Sequence, residues 1–275
     1  MTTPTASAAS TASTVHVEPA DPLRAAAAAA ALAALPLSFT EAGRDAKVIV
    51  VAGSGGWVDR VRAAASAGAQ GVIVTDPLPA PGASALATDT PACIVVLAET
   101  WASSPMLRAA VHQFGEPIAR TRLIDARSVE PTTGRDLPAV IFAQLRAVQS
   151  LGIEVSTLAI AAQSTSSILA IGRSASGARI VLSAARGDGV DGTLDLLLVA
   201  ADEVIRIDLP DSRTARPGRA VLTSATAAVE LPTIWETAHR NSWRALHDAL
   251  ESGLEPGHIA MFAAALAVAP ALAEA

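Results

Sequence analysis

Short apolar runs alternate with amphipathic stretches over roughly the first 120 residues of this chain. Runs of Val and Ile have the length of buried strands, and apolar positions that recur every third or fourth residue indicate helices. This alternation is typical of a parallel sheet covered by helices. It predicts strands at 15–17, 48–51, 71–74 and 93–97 and helices at 22–35, 57–67 and 105–114.

After about residue 120 the pattern changes to runs in which apolar and polar positions alternate. Turn sequences such as Ser-Gly, Gly-Asp-Gly and Ala-Asp-Glu separate these runs, and such turns favour antiparallel hairpins. The predicted strands are 155–161, 168–171, 179–184, 193–199 and 204–209, with one or two more within 221–229. The predicted helices are 137–149, 233–251 and an apolar helix at the C-terminus.

These patterns predict an α/β fold class with two structured units. A disordered Ser/Thr-rich tail is expected at residues 1–14, and a helix-covered parallel sheet at 15–120. An α+β domain with a large, mostly antiparallel sheet and closing helices is expected at 121–275. A chain of 275 residues is long enough for one large domain or two modest ones.

Charge and hydropathy exclude several classes of partner. The net charge is −6 and no basic stripe is present, which predicts no nucleic-acid partner. The apolar segment 25–35 resembles a signal-peptide core, but a long, slightly acidic stretch precedes it instead of a short basic one. The segment 259–275 is too short to span a bilayer. We therefore expect a cytoplasmic protein without membrane contact.

A glycine-rich loop follows the predicted strand 48–51 and precedes a helix. Gly53, Ser54, Gly55 and Gly56 with Trp57 resemble a phosphate-cradling turn, in which small residues let backbone N–H groups approach an anion. Asp76, at the end of the next predicted strand, is a candidate ligand for a ribose diol. The alternative is a tight turn that needs glycine for its geometry only, because Val58 occupies the position of the third glycine.

Two further residues point to a small-molecule pocket. Glu99 and Trp101 follow the predicted strand 93–97, and ligands bind beyond the carboxyl ends of the strands in open α/β sheets. Lys47 is the only lysine of the chain, and it stands at the start of a strand. The apolar run around Cys93, the only cysteine, predicts a buried structural thiol.

The C-terminal part contains a histidine pattern that could suggest a metal site. His239, Trp243 and His247 share one helical face, and Glu236 precedes His239 by three residues. A single Glu-x-x-His motif without a second one is common by chance, so this face predicts helix packing and no metal site.

Several segments, in their order along the chain, resemble the glucose–fructose oxidoreductase, inositol dehydrogenase and MocA-like family. An acidic strand end at 15–18 precedes Asp21-Pro22-Leu23-Arg24-Ala25, and Thr75-Asp76-Pro77 matches the Glu-Lys-Pro motif of the family. The segments 115–126, 192–210 and 230–253 resemble its entry into the second domain, its late strands and its closing helix. The resemblance implies a Rossmann-like NAD(P)-binding domain, a sugar or polyol substrate, and dimers formed through the open face of the second sheet.

The chain departs from the family pattern at three places. No Gly-x-Gly-x-x-Gly turn precedes the segment matched to the acidic strand, so the Rossmann-like domain is expected to be incomplete. Asp76 stands where the family has its lysine, which reverses the charge and removes the ammonium donor. The stretch 134–146 lacks the histidine of the family and holds one carboxylate, Asp136, at a position typical of a helix N-cap.

These departures predict a catalytically degenerate oxidoreductase-like protein that serves as an assembly partner or a small-molecule-binding scaffold. No cofactor is expected, and we expect a homodimer or hetero-oligomer formed through the antiparallel sheet. The alternative is an NAD(P)-dependent dehydrogenase of a sugar or polyol that uses the Gly53–Gly56 loop and Asp76.

Overall fold

The computed structural model describes residues 12–18, 22–35, 38–43, 45–80, 82–190, 192–211, 214 and 216–272. The N-terminal half forms a five-stranded parallel sheet with the strand order β2-β1-β3-β4-β5. Its strands are β1 (Ser13–Val17), β2 (Phe39–Glu41), β3 (Val48–Ala52), β4 (Gly71–Thr75) and β5 (Ile94–Ala98). The intervening helices are α1 (Pro22–Ala33), α2 (Trp57–Ser66), α3 (Ala85–Thr88) and α4 (Pro105–Ala119).

The central strands are buried on both faces. Every residue of β3 and β4 is buried, as expected for a parallel sheet that is covered by helices on both sides. Residues 1–11 of the predicted tail at 1–14 lie outside the described residues. Ser13 and Thr14 belong to β1.

The second sheet has eight strands in the order β13-β12-β11-β10-β6-β9-β8-β7. Neighbouring strands are antiparallel except for the parallel pair β6 and β9. The predicted fold class, a parallel sheet followed by a large and mostly antiparallel one, is therefore confirmed. The strands are β6 (Leu123–Pro131), β7 (Val155–Gln163), β8 (Ser167–Ser174), β9 (Arg179–Gly187), β10 (Thr193–Val199), β11 (Glu203–Pro210), β12 (Arg219–Ser224) and β13 (Ala228–Glu230).

One face of this sheet is covered and the other faces outward. Helix α5 (Leu137–Ser150) packs on the inner face, where alternate residues such as Leu194, Leu196 and Leu198 are buried. The residues between them, such as Asp195 and Leu197, lie on the outer face. This period of two is the pattern from which the strands were predicted.

The closing helices contact the parallel sheet. Helix α6 (Ala238–Ser252) packs on β4, β5 and α1, and Trp243 meets Phe39 edge-on, with 5.0 Å between the ring centroids. Helix α7 (His258–Val268) packs on β5, α3, α5 and β7, and a 3₁₀ turn follows at Pro270–Leu272. In the part of the chain that the structure describes, no helix has the length and hydropathy needed to cross a membrane.

The strand order of the parallel sheet fits the incomplete nucleotide-binding unit that the sequence predicted. The motif comparison matched residues 15–18 to the second, acidic strand of a nucleotide-binding domain, with its first strand missing. In the structure, β1 lies between β2 and β3 and pairs with both in parallel. Dinucleotide-binding sheets have the order 3-2-1-4-5-6, and removing the first strand from this order leaves the observed order β2-β1-β3-β4-β5. The connection from β1 to α1 reads Glu-Pro-Ala-Asp and contains no glycine.

Candidate functional site

The carboxyl ends of β3, β4 and β5 face helix α5 and the start of α6. This edge is where open α/β sheets bind ligands. Asp76 follows β4 directly and has a φ of 46°, a left-handed conformation that is uncommon for residues other than glycine. Such a backbone conformation is held by surrounding contacts and often occurs at functional positions.

Asp76 forms a buried polar cluster with two residues distant in the chain. Its Oδ1 accepts a hydrogen bond from Thr100 Oγ1 at 2.5 Å and lies 3.1 Å from His239 Nε2. His239 is the second residue of α6, whose N-cap Thr237 accepts a hydrogen bond from the Arg240 amide. The side chains of His239 and Asp76 are 7% and 23% exposed, so water screens their interaction only partly.

The two partners shift each other's pKa in opposite directions. Burial by itself would lower the pKa of His239, but the charge and hydrogen bond of Asp76, with a contribution from Asp211, raise it. Burial would likewise raise the pKa of Asp76, yet His239 and the hydrogen bond from Thr100 hold it well below its usual range. The pair therefore favours the ionised form of both groups.

Arg135 covers the aromatic residue predicted to line a pocket. Its guanidinium carbon lies 4.3 Å from the centroid of the fully buried Trp101 ring. Arg135 Nη2 also donates to Glu130 Oε1 at 2.7 Å, and Glu130 is completely buried. Trp101 is thus enclosed by protein and is not available to a ligand in this conformation.

Glu99, the other predicted pocket residue, forms a two-point ion pair with α5. Arg146 Nε and Nη2 donate to the two carboxylate oxygens at 2.9 and 2.8 Å. The Arg146 side chain is only 2% exposed. This pair joins the end of the parallel sheet to the helix that covers the second sheet.

Helix α7 fills the remaining space. The amide of Leu97 donates to His258 Nδ1 at 3.3 Å, and burial is the main reason that the pKa of His258 is lowered. The Phe262 ring lies edge-on to Trp57 and Phe142, with centroid distances of 5.8 and 4.9 Å. The cavity left between these elements measures only about 30 Å³, which is enough for one water molecule. It is lined by Asp76, Pro77, Leu78, Glu99, Thr100, Arg135, Ala139, Phe142 and Ala143.

Two glycines of the 53–56 loop, Gly53 and Gly56, have structural reasons to be glycine. The Gly53 amide donates to Thr75 O, and its carbonyl accepts from the Leu78 amide, both at 2.8 Å. A Cβ at Gly53 would lie 2.4 Å from Pro77 Cα, so only glycine permits this approach of two backbone segments. Gly56, the N-cap of α2, has a φ of 71°.

Arg60 occupies the carbonyl side of the same loop. Its guanidinium donates to the carbonyl oxygens of Ala52, Ser54 and Gly55 at 2.7 to 2.9 Å. Its Nε lies 3.5 Å from Glu18 Oε2 at the end of β1. A phosphate cradle presents amide groups to its ligand, whereas this loop is organised around an internal cation.

The structure brings some predicted site residues together and separates others. Gly53 and Asp76 lie side by side, and Glu99 borders the same small cavity. Trp57 is fully buried, with its Nε1 donating to Leu78 O. Lys47 is exposed at the opposite end of β3.

Thr100, Arg135, Arg146 and His239 were not predicted as site residues. His239 was assigned to helix packing, and no pattern in the sequence marks it as the partner of Asp76. Glu236, its motif partner, pairs with Arg240 and Arg244 instead. Among the described residues, no group of three or more His, Cys, Asp and Glu side chains is placed to hold a metal ion. Cys93 is buried, and burial raises the pKa of its thiol to about 11.

Similarity to known proteins was found in the comparison of structures and not in the comparisons of sequence. No protein-family model matches the sequence, and no curated protein matches it. A 3-ketoreductase from Actinomadura kijaniata, solved with TDP-benzene and NADP, matches with a TM-score of 0.74 and 14% identity over 94% of this chain and 96% of that one. An oxidoreductase from Sinorhizobium meliloti matches with a TM-score of 0.71 and 12% identity over 96% and 97% of the two chains.

A third structure belongs to a sugar-nucleotide enzyme. The UDP-N-acetylglucosamine 3-dehydrogenase from Acidithiobacillus ferrooxidans matches with a TM-score of 0.68 and 14% identity over 95% of this chain and 97% of that one. At such identities the likeness concerns the fold. The chain shares the fold of these three structures, a parallel sheet with helices followed by a large mixed sheet.

Proposed function

We propose that this chain is a non-catalytic protein with an oxidoreductase-like fold that serves in assembly. The observation that carries the proposal is the closed space at the carboxyl ends of β3, β4 and β5. Its cavity of about 30 Å³ is at least tenfold smaller than pockets that hold cofactors, typically about 300–1,000 Å³. The Glu99–Arg146 ion pair and the Arg135–Trp101 contact occupy the place that a ligand would need.

The charges near this space also oppose hydride-transfer chemistry. Asp76 is ionised and engaged by His239 and Thr100, so it is a poor proton acceptor for a substrate hydroxyl. The only lysine, Lys47, lies at the other end of its strand. The connection after β1 carries two carboxylates, Glu18 and Asp21, in a sequence without glycine, which disfavours a pyrophosphate.

Titration with NADPH and NADH by isothermal calorimetry tests this proposal. We expect no saturable binding up to about 1 mM nucleotide, a concentration that corresponds to a binding free energy of about −4 kcal/mol. The Actinomadura 3-ketoreductase, solved with NADP, is the positive control. Saturable binding with a dissociation constant below about 100 µM, followed by oxidation of any sugar or polyol, would refute the non-catalytic function.

One observation favours the competing function, an NAD(P)-dependent dehydrogenase of a sugar or polyol that uses the Gly53–Gly56 loop. The 3-ketoreductase whose structure is similar to this chain was solved with NADP. A second similar structure is that of UDP-N-acetylglucosamine 3-dehydrogenase. Binding by this chain would require the Glu99–Arg146 pair to separate. The same titration therefore decides between the two functions.

We further propose that assembly takes place on the outer face of the eight-stranded sheet. Within the proposal, residues 15–120 form a degenerate nucleotide-binding unit and residues 121–275 supply the assembly surface. This face exposes Val129 and Ile171, which are 40% and 44% accessible, beside half-buried Leu197. Exposed large apolar side chains on a broad sheet surface support an interface with another protein.

A further inference from the structure

The edges of the two sheets differ in how well they are protected. A strand at the edge of a sheet presents unpaired backbone N–H and C=O groups, which can pair with another chain. The described strands leave four such edges, at β2 and β5 of the parallel sheet and at β13 and β7 of the eight-stranded sheet. Strands β2 and β13 have only three residues each, and short edge strands resist pairing. Only β5 and β7 are therefore long enough to accept a further strand.

The edge of β5 is covered by the C-terminal part of the chain. The amide of Leu97 donates to His258 Nδ1 at 3.3 Å. The amide of Val95, two positions earlier on the same edge, donates to the carboxylate of Glu255. Helix α7, which begins at His258, packs on the same strand. Two outward-facing amides of β5 thus already have partners within the protein, and this edge is closed to another chain.

The edge of β7 has no such cover. This strand has nine residues, none of them charged and none of them proline, and most of them are exposed. No described residue outside β8 forms a hydrogen bond to its backbone. Register shifts at Ser156 and Ala161 bend the strand but leave Thr157–Ile160 in regular register with β8. A long, exposed and uncharged edge of this kind is a site of association with another strand.

Helix α7 packs on β7 and carries an apolar face that other elements do not cover. The helix has no polar or charged residue from Ile259 to Val268. A helix that is apolar on every side is normally buried on every side. Nevertheless, four of its side chains are exposed, those of Ala260, Met261, Ala264 and Ala267. The free edge of β7 and this face of α7 together form what we call the β7–α7 surface, and no described part of the chain covers it.

We propose that a second copy of this chain docks on the β7–α7 surface by antiparallel pairing of the two β7 strands. The two-fold axis passes beside Ala159 and is perpendicular to the sheet, so both α7 helices lie on the same side of the joined sheet. A strand edge is complementary to a copy of itself, because each copy offers the donors and acceptors that the other lacks. Without charged residues on β7, no like charges face each other. This surface is separate from the outer face of the sheet, and the inference does not rest on assembly there.

The size of the β7–α7 surface sets the expected strength of this dimer. Nine strand residues give an edge about 30 Å long, and the eleven residues of α7 give a helix about 16 Å long. Two such surfaces bury on the order of 1,000 Å² in total, which is the lower limit for a specific interface. We therefore expect a weak, reversible dimer with a dissociation constant of roughly 10–100 µM.

Sedimentation equilibrium of the full chain and its charge variants tests the inference. Ala159 is exposed and faces its own copy across the axis, so Ala159→Lys places two ammonium groups opposite each other. We expect the dissociation constant to rise at least about tenfold, because like charges that meet in an interface are costly. Ala159→Glu should weaken the dimer similarly. An equimolar mixture of the two variants should associate again, since a lysine then faces a glutamate.

Further variants separate this surface from the rest of the sheet. Ala264→Lys on the exposed face of α7 should also weaken the dimer. Ala228→Lys, at an exposed alanine of the opposite edge strand β13, and Val129→Lys on the outer face should leave it unchanged. Circular dichroism checks that each variant is folded. A dimer that responds to Val129→Lys and not to Ala264→Lys lies on the outer face and overturns the inference.

Hydrogen–deuterium exchange of the wild-type chain gives a test that needs no variant. The amides of Thr157–Ala161 should exchange more slowly at about 500 µM than at about 5 µM, while those of β13 should not change. A chain that is monomeric up to about 500 µM overturns the inference and leaves this edge to a different protein or to none. So does exchange in β7 that is independent of concentration. Neither result affects the nucleotide titration, so the two proposals fail separately.

Discussion

Asp76 and His239 are 163 positions apart in the sequence, and their side chains meet at 3.1 Å. This contact joins the end of β4 to the start of α6, so it connects the parallel sheet to the closing helix. The Asp76 carboxylate therefore has its partner in the C-terminal part of the chain. The imidazole of His239 offsets the charge of Asp76 within the protein.

Replacing His239 should destabilise the protein in a pH-dependent way. The folded state raises the pKa of His239, so its stabilising effect is fully present below the unfolded value of about 6.5 and is lost as the pH rises through the folded value. The lowered pKa of Asp76 stabilises above about pH 4, and this contribution is lost in acid. We expect His239→Gln to cost about 2 kcal/mol or more at pH 5.5 and distinctly less at pH 8.5.

Urea unfolding at the two pH values measures this difference. His112→Gln is the matched control, because His112 is exposed on α4. An equal loss of stability at both pH values would show that His239 contributes by packing and not by its charge.

Gly53→Ala should destabilise the chain by about 3 kcal/mol or more, because the new Cβ would meet the Pro77 backbone at 2.4 Å and neither segment can move without breaking hydrogen bonds. Gly55→Ala, two positions along the same loop, adds a methyl group where no other atom lies within 4 Å. It should change the free energy of unfolding by less than about 1 kcal/mol. Denaturant unfolding of both variants checks the comparison, and equal effects would contradict the close-approach role of Gly53.

The Glu99–Arg146 pair should show strong coupling in a double-mutant cycle. Arg146→Met leaves the carboxylate of Glu99 largely buried without its cation and should cost about 3–5 kcal/mol. Adding Glu99→Gln should recover part of this loss, because the uncompensated charge disappears. Chemical unfolding of the wild type, both single variants and the double variant gives the coupling energy. Additive losses would indicate that the two side chains act independently.

Phe262→Ala should leave a cavity between Trp57 and Phe142 and cost about 3–5 kcal/mol. The neighbouring Met261→Ala is the control, since Met261 is 39% exposed and its truncation should cost less than about 1 kcal/mol. Thermal unfolding measures both variants. If the two losses are alike, α7 does not fill the space at the strand ends in the way that the ring contacts indicate.

The central strands were predictable because a strand that is buried on both faces appears in the sequence as a short, uninterrupted apolar run. The runs that form β3 and β4 are apolar throughout, as both faces of a parallel sheet require, and their predicted limits differ from the observed ones by a single residue. Strand β6 was missed, since Asp125 and Arg127 on its outer face interrupt its apolar positions. Strand β2 was missed because it has only three residues.

The sequence by itself determined the fold class, the order of the two sheets and the glycine-rich turn, because hydrophobic periodicity and glycine positions act over a few residues. The sequence also identified Asp76 as a candidate site residue, because it is a charged residue at the end of a predicted strand. Only the tertiary structure decided that β1 lies between β2 and β3, that His239 is the partner of Asp76, and that Asp195 faces Asp208. These relationships depend on strand order, register and helix docking, which arise from contacts between distant parts of the chain and leave no local pattern.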